Sequence, residues 1–365
     1  MLRTIDRKFL QETLDLARSS RVPPRKIGCE IEPTWSASIA SPERILANGV
    51  FRQGDPQDAV AVALAELDPR IARENLSLYV SFEPRHAFLR LPPVTETIRS
   101  SGIHRVVVGT DDPFLREKGK GMDALRNFGF DVILADGEEA RACQLLYQDY
   151  AKAMNRFVPT LRLGAELAPA GHAGAYVIDA PKIPLPGQFD ARLVDLSSMY
   201  RQEKLSSDNH WMVILDAFGG IPLDSPLVKE HAKRMVVCVS SGGQADSRLA
   251  QLKKAGLTVL GVPSRESRVD LALALRKLRD QGFLSLFCVD SKDIWAAAIQ
   301  AGLVDSVLCY VREPFDSTHS LSRLERASID YMQGGAPPFK LGLERSRWVE
   351  ATESGFWFEA DVVQR

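Results

Sequence analysis

The sequence predicts an α/β chain of two domains, and three observations carry that expectation. Short apolar runs such as LSLYVSF (76–82), HRVVVG (104–109) and WMVIL (211–215) alternate with segments of helical period. The length of 365 residues exceeds one ordinary domain. Pro159 interrupts the alternation after a long amphipathic segment, which places domains at residues 1–150 and 158–365, joined near 150–160.

In order along the chain, Phe9, Leu10, Leu14 and Ala17 recur with helical spacing and open the first domain with a helix. After the Pro23-Pro24 break, Ile27 to Ile31 is expected as a short strand, with Cys29 as a buried core thiol. Leu76 to Phe82 and His104 to Gly109 are expected strands, with a helix starting at Val94 between them. A helix over Gly121 to Phe128, a strand over Asp131 to Leu134 and one long helix over Glu138 to Asn155 follow. The second domain has expected strands at Trp211 to Leu215, Met235 to Val239, Leu257 to Gly261, Leu284 to Val289 and Ser306 to Val311. The stretch from Pro169 to Asp208, rich in Pro, Gly and Ala, is expected to form loops.

Composition narrows the function classes. Lys plus Arg number 46 against 47 Asp plus Glu, so no global positive field draws the chain to nucleic acid or to an acidic membrane. No segment is apolar for long enough to span a bilayer, and the N-terminus lacks the apolar core of a signal peptide. Cys29, Cys143, Cys238, Cys288 and Cys309 lie far apart, as expected for reduced thiols in a cytoplasmic protein. The six histidines, at 86, 104, 172, 210, 231 and 319, show no metal-ligand spacing, so no metal site is expected. The expected partner is a small molecule, and a homo-oligomer or a second pathway enzyme remains open.

Two segments carry the most specific pattern. Glu83 to Val94 reads EPRHAFLRLPPV between a strand and a helix, and Gly54 to Val60 reads GDPQDAV at a helix start. Frame residues Gly28-Cys29, Glu83-Pro84, Pro92-Pro93, Asp112-Pro113, Gly121, Leu125 and Gly129 accompany them. The second half adds TLRLGAEL (160–167), VILDAFGGIP (213–222) and QAGLVDSVLCYV (300–311). On these residues the chain resembles the bifunctional deaminase/reductase family of riboflavin biosynthesis over nearly its whole length.

The resemblance implies a cytidine-deaminase-like N-terminal domain, a dihydrofolate-reductase-like C-terminal domain, and zinc and NADPH as the family's cofactors. At the positions the resemblance assigns to the zinc centre the residues are Gln57 for the histidine, Ala59 for the proton-shuttling glutamate, and Arg85 and Val94 for the two thiolates. A zinc deaminase needs a His/Cys/Cys site and a nearby carboxylate to turn bound water into hydroxide, so zinc is not expected here. Arg85 would place a cation near the former metal position. On the reductase side the family's Ser-Leu-Asp-Gly run is Glu166-Leu167-Ala168-Pro169 and its Glu-Gly-Gly turn is Val289-Asp290-Ser291. Lost glycines and an added acid work against a dinucleotide phosphate, so NADPH is not expected either.

Candidate site residues follow with their ordinary alternatives. Asp58 is a shifted base or a solvated acid in a helix's first turn. His86 contacts ligand at the old pocket mouth or is a part-exposed loop residue, and Asp112 lines the pocket or makes a turn. Asp216, Ser241, Gly242 and Gly243 are substrate-binding candidates at strand ends, where an ordinary glycine turn would look the same. The leading expectation is a protein that binds or acts on GTP-derived pyrimidine ribosyl or ribityl phosphates without zinc-dependent deamination. It belongs to riboflavin synthesis or a related azapteridine pathway such as toxoflavin's, and any chemistry is metal-free. The rivals are a non-catalytic sensor or scaffold for an active deaminase/reductase, and an NADPH-dependent reductase with an inactive deaminase half.

Overall fold

Alternating β-branched strands and amphipathic helices build two α/β units, Met1–Val158 with Asp280–Gly282, and Pro159–Arg279 with Phe283–Arg365. The structure is a computed structural model that describes residues 2–169, 176–179, 189–201, 210–241, 246–265, 267–289, 291–312, 329–331, 339–352 and 355–363.

The first unit opens with helix α1 (Thr4–Ser20), whose Phe9, Leu10, Thr13, Leu14 and Ala17 are buried along one stripe. Strands β1 (Trp35–Ala40) and β2 (Ile45–Phe51) form a hairpin, followed by α2 (Ala59–Glu66) and β3 (Ser77–Val80). Then come α3 (Val94–Ser100), β4 (Arg105–Val108), α4 (Lys120–Asn127), β5 (Asp131–Leu134), α5 (Gly137–Leu146) and α6 (Gln148–Arg156). The sheet order is β2-β1-β3-β4-β5, antiparallel through β2, β1 and β3 and parallel through β3, β4 and β5. Phe9, Leu10, Tyr79 and Val107 pack in one core cluster between α1 and the sheet. Gly49 permits α2 to lie on β2, because a Cβ there would sit 2.0 Å from the Ala59 carbonyl oxygen.

Three expectations fail in this unit. Residues 25–29 make bends and no strand, Cys29 is only partly buried, and the first strand begins at Trp35. Three prolines (Pro23, Pro24 and Pro33) and four charges (Arg25, Lys26, Glu30 and Glu32) around Ile27 and Ile31 leave too little continuous apolar surface for a strand interior. The WSASIA run pairs instead, because all six of its residues are buried. The helix expected over 138–155 is broken at Tyr147, whose buried hydroxyl is 2.7 Å from that of Ser81 and whose ring packs edge-on to Phe82.

The second unit comprises β6 (Thr160–Pro169), β7 (Tyr176–Asp179), β8 (Ala191–Asp195), α7 (Leu196–Arg201), β9 (Trp211–Leu215), α8 (Pro226–His231) and β10 (Met235–Ser240). It continues through α9 (Asp246–Lys254), β11 (Thr258–Val262), a ribbon of β12 (Ser264–Arg265) with β13 (Arg268–Val269), and α10 (Leu271–Asp280). The remaining elements are β14 (Ser285–Val289), α11 (Lys292–Gln300), β15 (Ser306–Arg312), β16 (Ile329–Tyr331), β17 (Phe339–Thr352) and β18 (Gly355–Val363). Their sheet runs β11-β10-β9-β8-β14-β6-β15-β18-β17-β16, with β7 on β6. The five strands expected in this half are all present. The stretch expected as loops contains β7, the central strand β8 and α7 among its described residues. Strand β8 escapes a composition-based reading because it follows a run of Pro and Gly and is only five residues long.

Chain order reverses at the middle of this sheet. Strands β8, β9, β10 and β11 step outward to one side, and β14 then inserts between β8 and β6. The ends of β8 and β14 therefore flank a topological switch point, where open α/β sheets bind ligands.

Candidate functional site

In the first unit, the carboxyl ends of the parallel strands β3 and β4 lead into two loops that face one another, Ser81 to Pro93 and Gly109 to Gly119. Glu83 holds them together. Its buried carboxylate accepts backbone N–H groups of Asp112 (2.8 Å), Gly119 (2.9 Å), Gly121 (2.9 Å) and Met122 (3.2 Å). Two of these donors lie at the start of α4, so the negative charge also complements the helix end. Gly121 lets the chain come this close, since a Cβ there would sit 1.8 Å from the Pro84 carbonyl oxygen.

Arg85 follows that anchor. Its Nη1 is 2.6 Å from Oε1 of Glu32, whose side chain is almost fully buried, and Arg90 approaches the other Glu32 oxygen at 3.5 Å. Arg85 Nε is out of solvent and has no hydrogen-bond partner among the described residues. Asp58 is buried at the N-cap of α2, where Oδ1 accepts the Ala61 N–H at 2.9 Å and Oδ2 accepts the Thr97 hydroxyl at 3.2 Å. Burial raises its pKa, while these bonds and the nearby Arg85 oppose the rise. The expectation of a solvated acid inside the first turn is thus corrected. Asp58 caps the helix from outside, and both oxygens are occupied.

Asp112 is buried, and its Oδ1 accepts the Phe114 N–H at 2.8 Å. Burial first, then the neighbouring carboxylates of Glu83, Glu117 and Asp111, push its pKa up to about 7 against the Phe114 bond. Tyr150, buried beneath, feels Asp112, Arg85, Glu32 and Glu117, and burial drives its hydroxyl far above the usual phenol range. His86 is exposed, with Nδ1 2.9 Å from the Thr95 hydroxyl and its ring edge-on to Phe128. Around these groups Ala59 and Val94 are buried and apolar, and Gln57 is exposed.

The structure thus brings Arg85, Asp58 and Asp112 into one electrostatic neighbourhood, with His86 at its rim. Sequence reasoning missed Glu32 and Tyr150. The Glu32 signal is an acid three residues past Cys29, and it is hidden while that stretch is read as a strand. The donor set does not suit zinc, since Gln57 faces solvent and neither Arg85 nor Val94 offers a lone pair to a cation. Among the described residues, no three His, Cys, Asp or Glu side chains form a metal-holding group.

In the second unit, Asp195 ends β8 and Ser291 follows β14, on either side of the switch point. Ser291 donates its hydroxyl to Asp195 and accepts the Ile294 N–H at 3.4 Å as the N-cap of α11. Asp195 also accepts from the Ser197 hydroxyl and the Ser198 N–H, both at 2.7 Å. Burial works against its ionisation, yet these bonds hold its pKa below the usual carboxylate value. A charged carboxylate therefore stands beside the capped start of α11, where the family resemblance places a cofactor phosphate. The site does not suit that group.

The other candidates in this unit have local roles. Asp216 is buried in a turn, where it accepts N–H groups of Phe218 (3.3 Å) and Ile221 (2.9 Å). Ser241 is an exposed turn residue whose N–H bonds Val262, while Gly242 and Gly243 lie outside the described residues. Asp290 lies outside them too.

Residues 189–312 match the family described as the RibD C-terminal domain. The riboflavin biosynthesis protein RibD of Aquifex aeolicus is 25% identical over 328 residues, covering 85% of this chain and 88% of that protein. RibD of Escherichia coli K12 is 22% identical over 343 residues, covering 84% and 87%. Acinetobacter baumannii RibD superposes with a TM-score of 0.71 at 18% identity, covering 98% of this chain and 99% of that one. The Thermotoga maritima diaminohydroxyphosphoribosylaminopyrimidine deaminase/5-amino-6-(5-phosphoribosylamino)uracil reductase gives 0.68 at 19% identity, covering 98% of each chain.

Proposed function

We propose that the chain is a RibD-like riboflavin biosynthesis protein that binds or acts on a pyrimidine ribosyl or ribityl phosphate without zinc. The observation that carries this reading is the cluster of charged side chains in the first unit. Glu32 and Arg85 form an ion pair beside Asp58 and Asp112, where a metal centre would require His and Cys. A scaffold that had lost its ligand would relax by filling the position with apolar side chains, since unsatisfied buried polar atoms are costly. Here an unpartnered donor and a carboxyl near neutrality are retained.

The Asp195–Ser291 pair weighs against the NADPH-dependent reductase reading. Any reaction proceeds without either cofactor, with Asp112 as the group able to lend or take a proton near neutral pH. The related azapteridine pathways fit as well as riboflavin synthesis does, because both use this ligand class.

Mass spectrometry of the purified chain mixed with the phosphoribosylaminopyrimidine made by a GTP cyclohydrolase tests the reading. The expected result is retained ligand, or a product, that does not depend on added zinc or NADPH. Ligand and mass unchanged under every condition would overturn it, and a product that requires zinc would return the chain to ordinary deamination.

A further inference from the structure

We propose that the first unit selects the oxo form of its pyrimidine, the already deaminated compound, through Arg85. This rests on the reading that the unit binds a pyrimidine ribosyl or ribityl phosphate at all, and it adds which member of that class is preferred. In a zinc deaminase the metal-held hydroxide faces the ring carbon that bears the exocyclic amine. Arg85 stands at a position of that centre and carries only donors. The group that meets the exocyclic substituent is thus a hydrogen-bond donor. Against an amine it gives a donor-to-donor contact, and against a carbonyl oxygen a hydrogen bond.

Three features direct this choice. Glu32 fixes one edge of the guanidinium through Nη1 at 2.6 Å, so the planar group is preorganised before ligand arrives. Arg85 Nε is buried with no acceptor among the described residues, and a carbonyl oxygen would satisfy it. Ala59 and Val94 are both buried, and their small apolar side chains suit a flat ring.

A free phosphate is the rival occupant for an unpaired guanidinium, and charge decides against it. Arg85 and Arg90 are offset by Glu32 between them, and Asp58 lies close by, so the cluster has no net positive field to hold a dianion. A neutral acceptor is the better match. The consequence is a place in a reaction order: deamination is completed by another protein before this chain receives the compound.

The test is isothermal titration of the full chain with 5-amino-6-(5-phosphoribosylamino)uracil and, separately, with its 2-amino precursor. The expected result is tighter binding of the uracil by about tenfold or more, which is about 1.4 kcal/mol. Because the second unit could take up either compound, the readout is the ratio of the two affinities before and after substitution. Arg85→Met should bring the ratio to within about threefold of unity. If that variant misfolds with Glu32 left unpaired, the double change Glu32→Gln with Arg85→Met removes both charges and gives the same readout. Equal affinities in the unaltered chain, tighter binding of the amine, or a preference that survives loss of Arg85 would overturn the inference and leave the proposed function standing. Binding of neither compound would overturn both.

Discussion

Asp112 and Asp6 are both buried carboxyls, and their surroundings move them in opposite directions. Asp112 has burial and three nearby carboxylates against a single backbone bond, so its folded pKa rises to about 7. A raised pKa means that the folded state holds a proton the unfolded chain has already lost between about pH 4 and 7. Stability from this group is full at low pH and declines as pH rises through that window. Asp112→Asn keeps an oxygen for the Phe114 N–H and removes the charge, so at pH 8 it should raise the unfolding midpoint by about 1–3 °C, an advantage that shrinks markedly by pH 5. Scanning calorimetry at the two pH values checks both halves of the statement. Asp6 is also desolvated, yet hydrogen bonds from Arg3, from Arg105 at 2.8 and 3.0 Å and from the Tyr79 hydroxyl at 2.7 Å drive its pKa far down. Its contribution is present above the unfolded carboxylate pKa and is lost only in strong acid. Asp6→Asn leaves Arg105 facing a neutral group and should cost about 3 kcal/mol in urea unfolding at pH 7, with the difference shrinking as the medium is acidified toward pH 2. The candidates Asp58, Arg85, His86 and Asp112 could be named from their positions beside recognisable turns. Tyr150 could not, because it reaches the cluster only through the fold, and Glu32 was hidden because the stretch after Gly28-Cys29 reads as a strand.

At the scale of elements, the turn built on Glu83 shows what a pattern of residue types can and cannot tell. Glu83-Pro84, Asp112-Pro113 and Gly121 are visible as punctuation in the sequence, but their shared purpose is not. One carboxylate gathers four N–H groups from the second loop and the start of α4. Gly121→Ala should therefore act on the whole site. Its Cβ would strike the Pro84 carbonyl from 1.8 Å and push Arg85 away from Glu32, so ligand binding should weaken by tenfold or more along with a loss of about 2 kcal/mol in stability. Titration and urea unfolding of the same preparation separate this from a purely global effect. Gly49→Ala should match it in stability, through the clash of β2 with α2, while changing affinity less. Strands such as β4, β9 and β10 were legible because continuous β-branched runs have few other stable fates, whereas the central strand β8 was not. The β1–β2 hairpin was hidden by small residues, WSASIA and ILANGVF, which have no strong period and become strands only because neighbours bury them.

For the whole molecule, each unit carries a charged arrangement that bears on the proposed cofactor-free reading. The first has the Glu32–Arg85 ion pair, at a position the resemblance assigns to a zinc ligand. The second has Asp195 and Ser291 at the switch point, each making hydrogen bonds that a cofactor phosphate would have to replace. Two unit charges of like sign roughly 6 Å apart at an effective dielectric of about 20 repel by about 3 kcal/mol, a loss of roughly a hundredfold in affinity per negative charge facing Asp195. Ser291 adds to this by capping α11 itself, so fewer free N–H groups remain for an anion. Titration of NADPH fluorescence with the full chain should accordingly give no saturable change up to about 1 mM cofactor. The same titration with Asp195→Ser, which removes the charge and keeps a hydroxyl for Ser291, should show binding begin to appear if the carboxylate is the main barrier. Tight NADPH binding by the unaltered chain would mean that the phosphate sits elsewhere on the sheet, and the cofactor-free reading of the second unit would have to be given up.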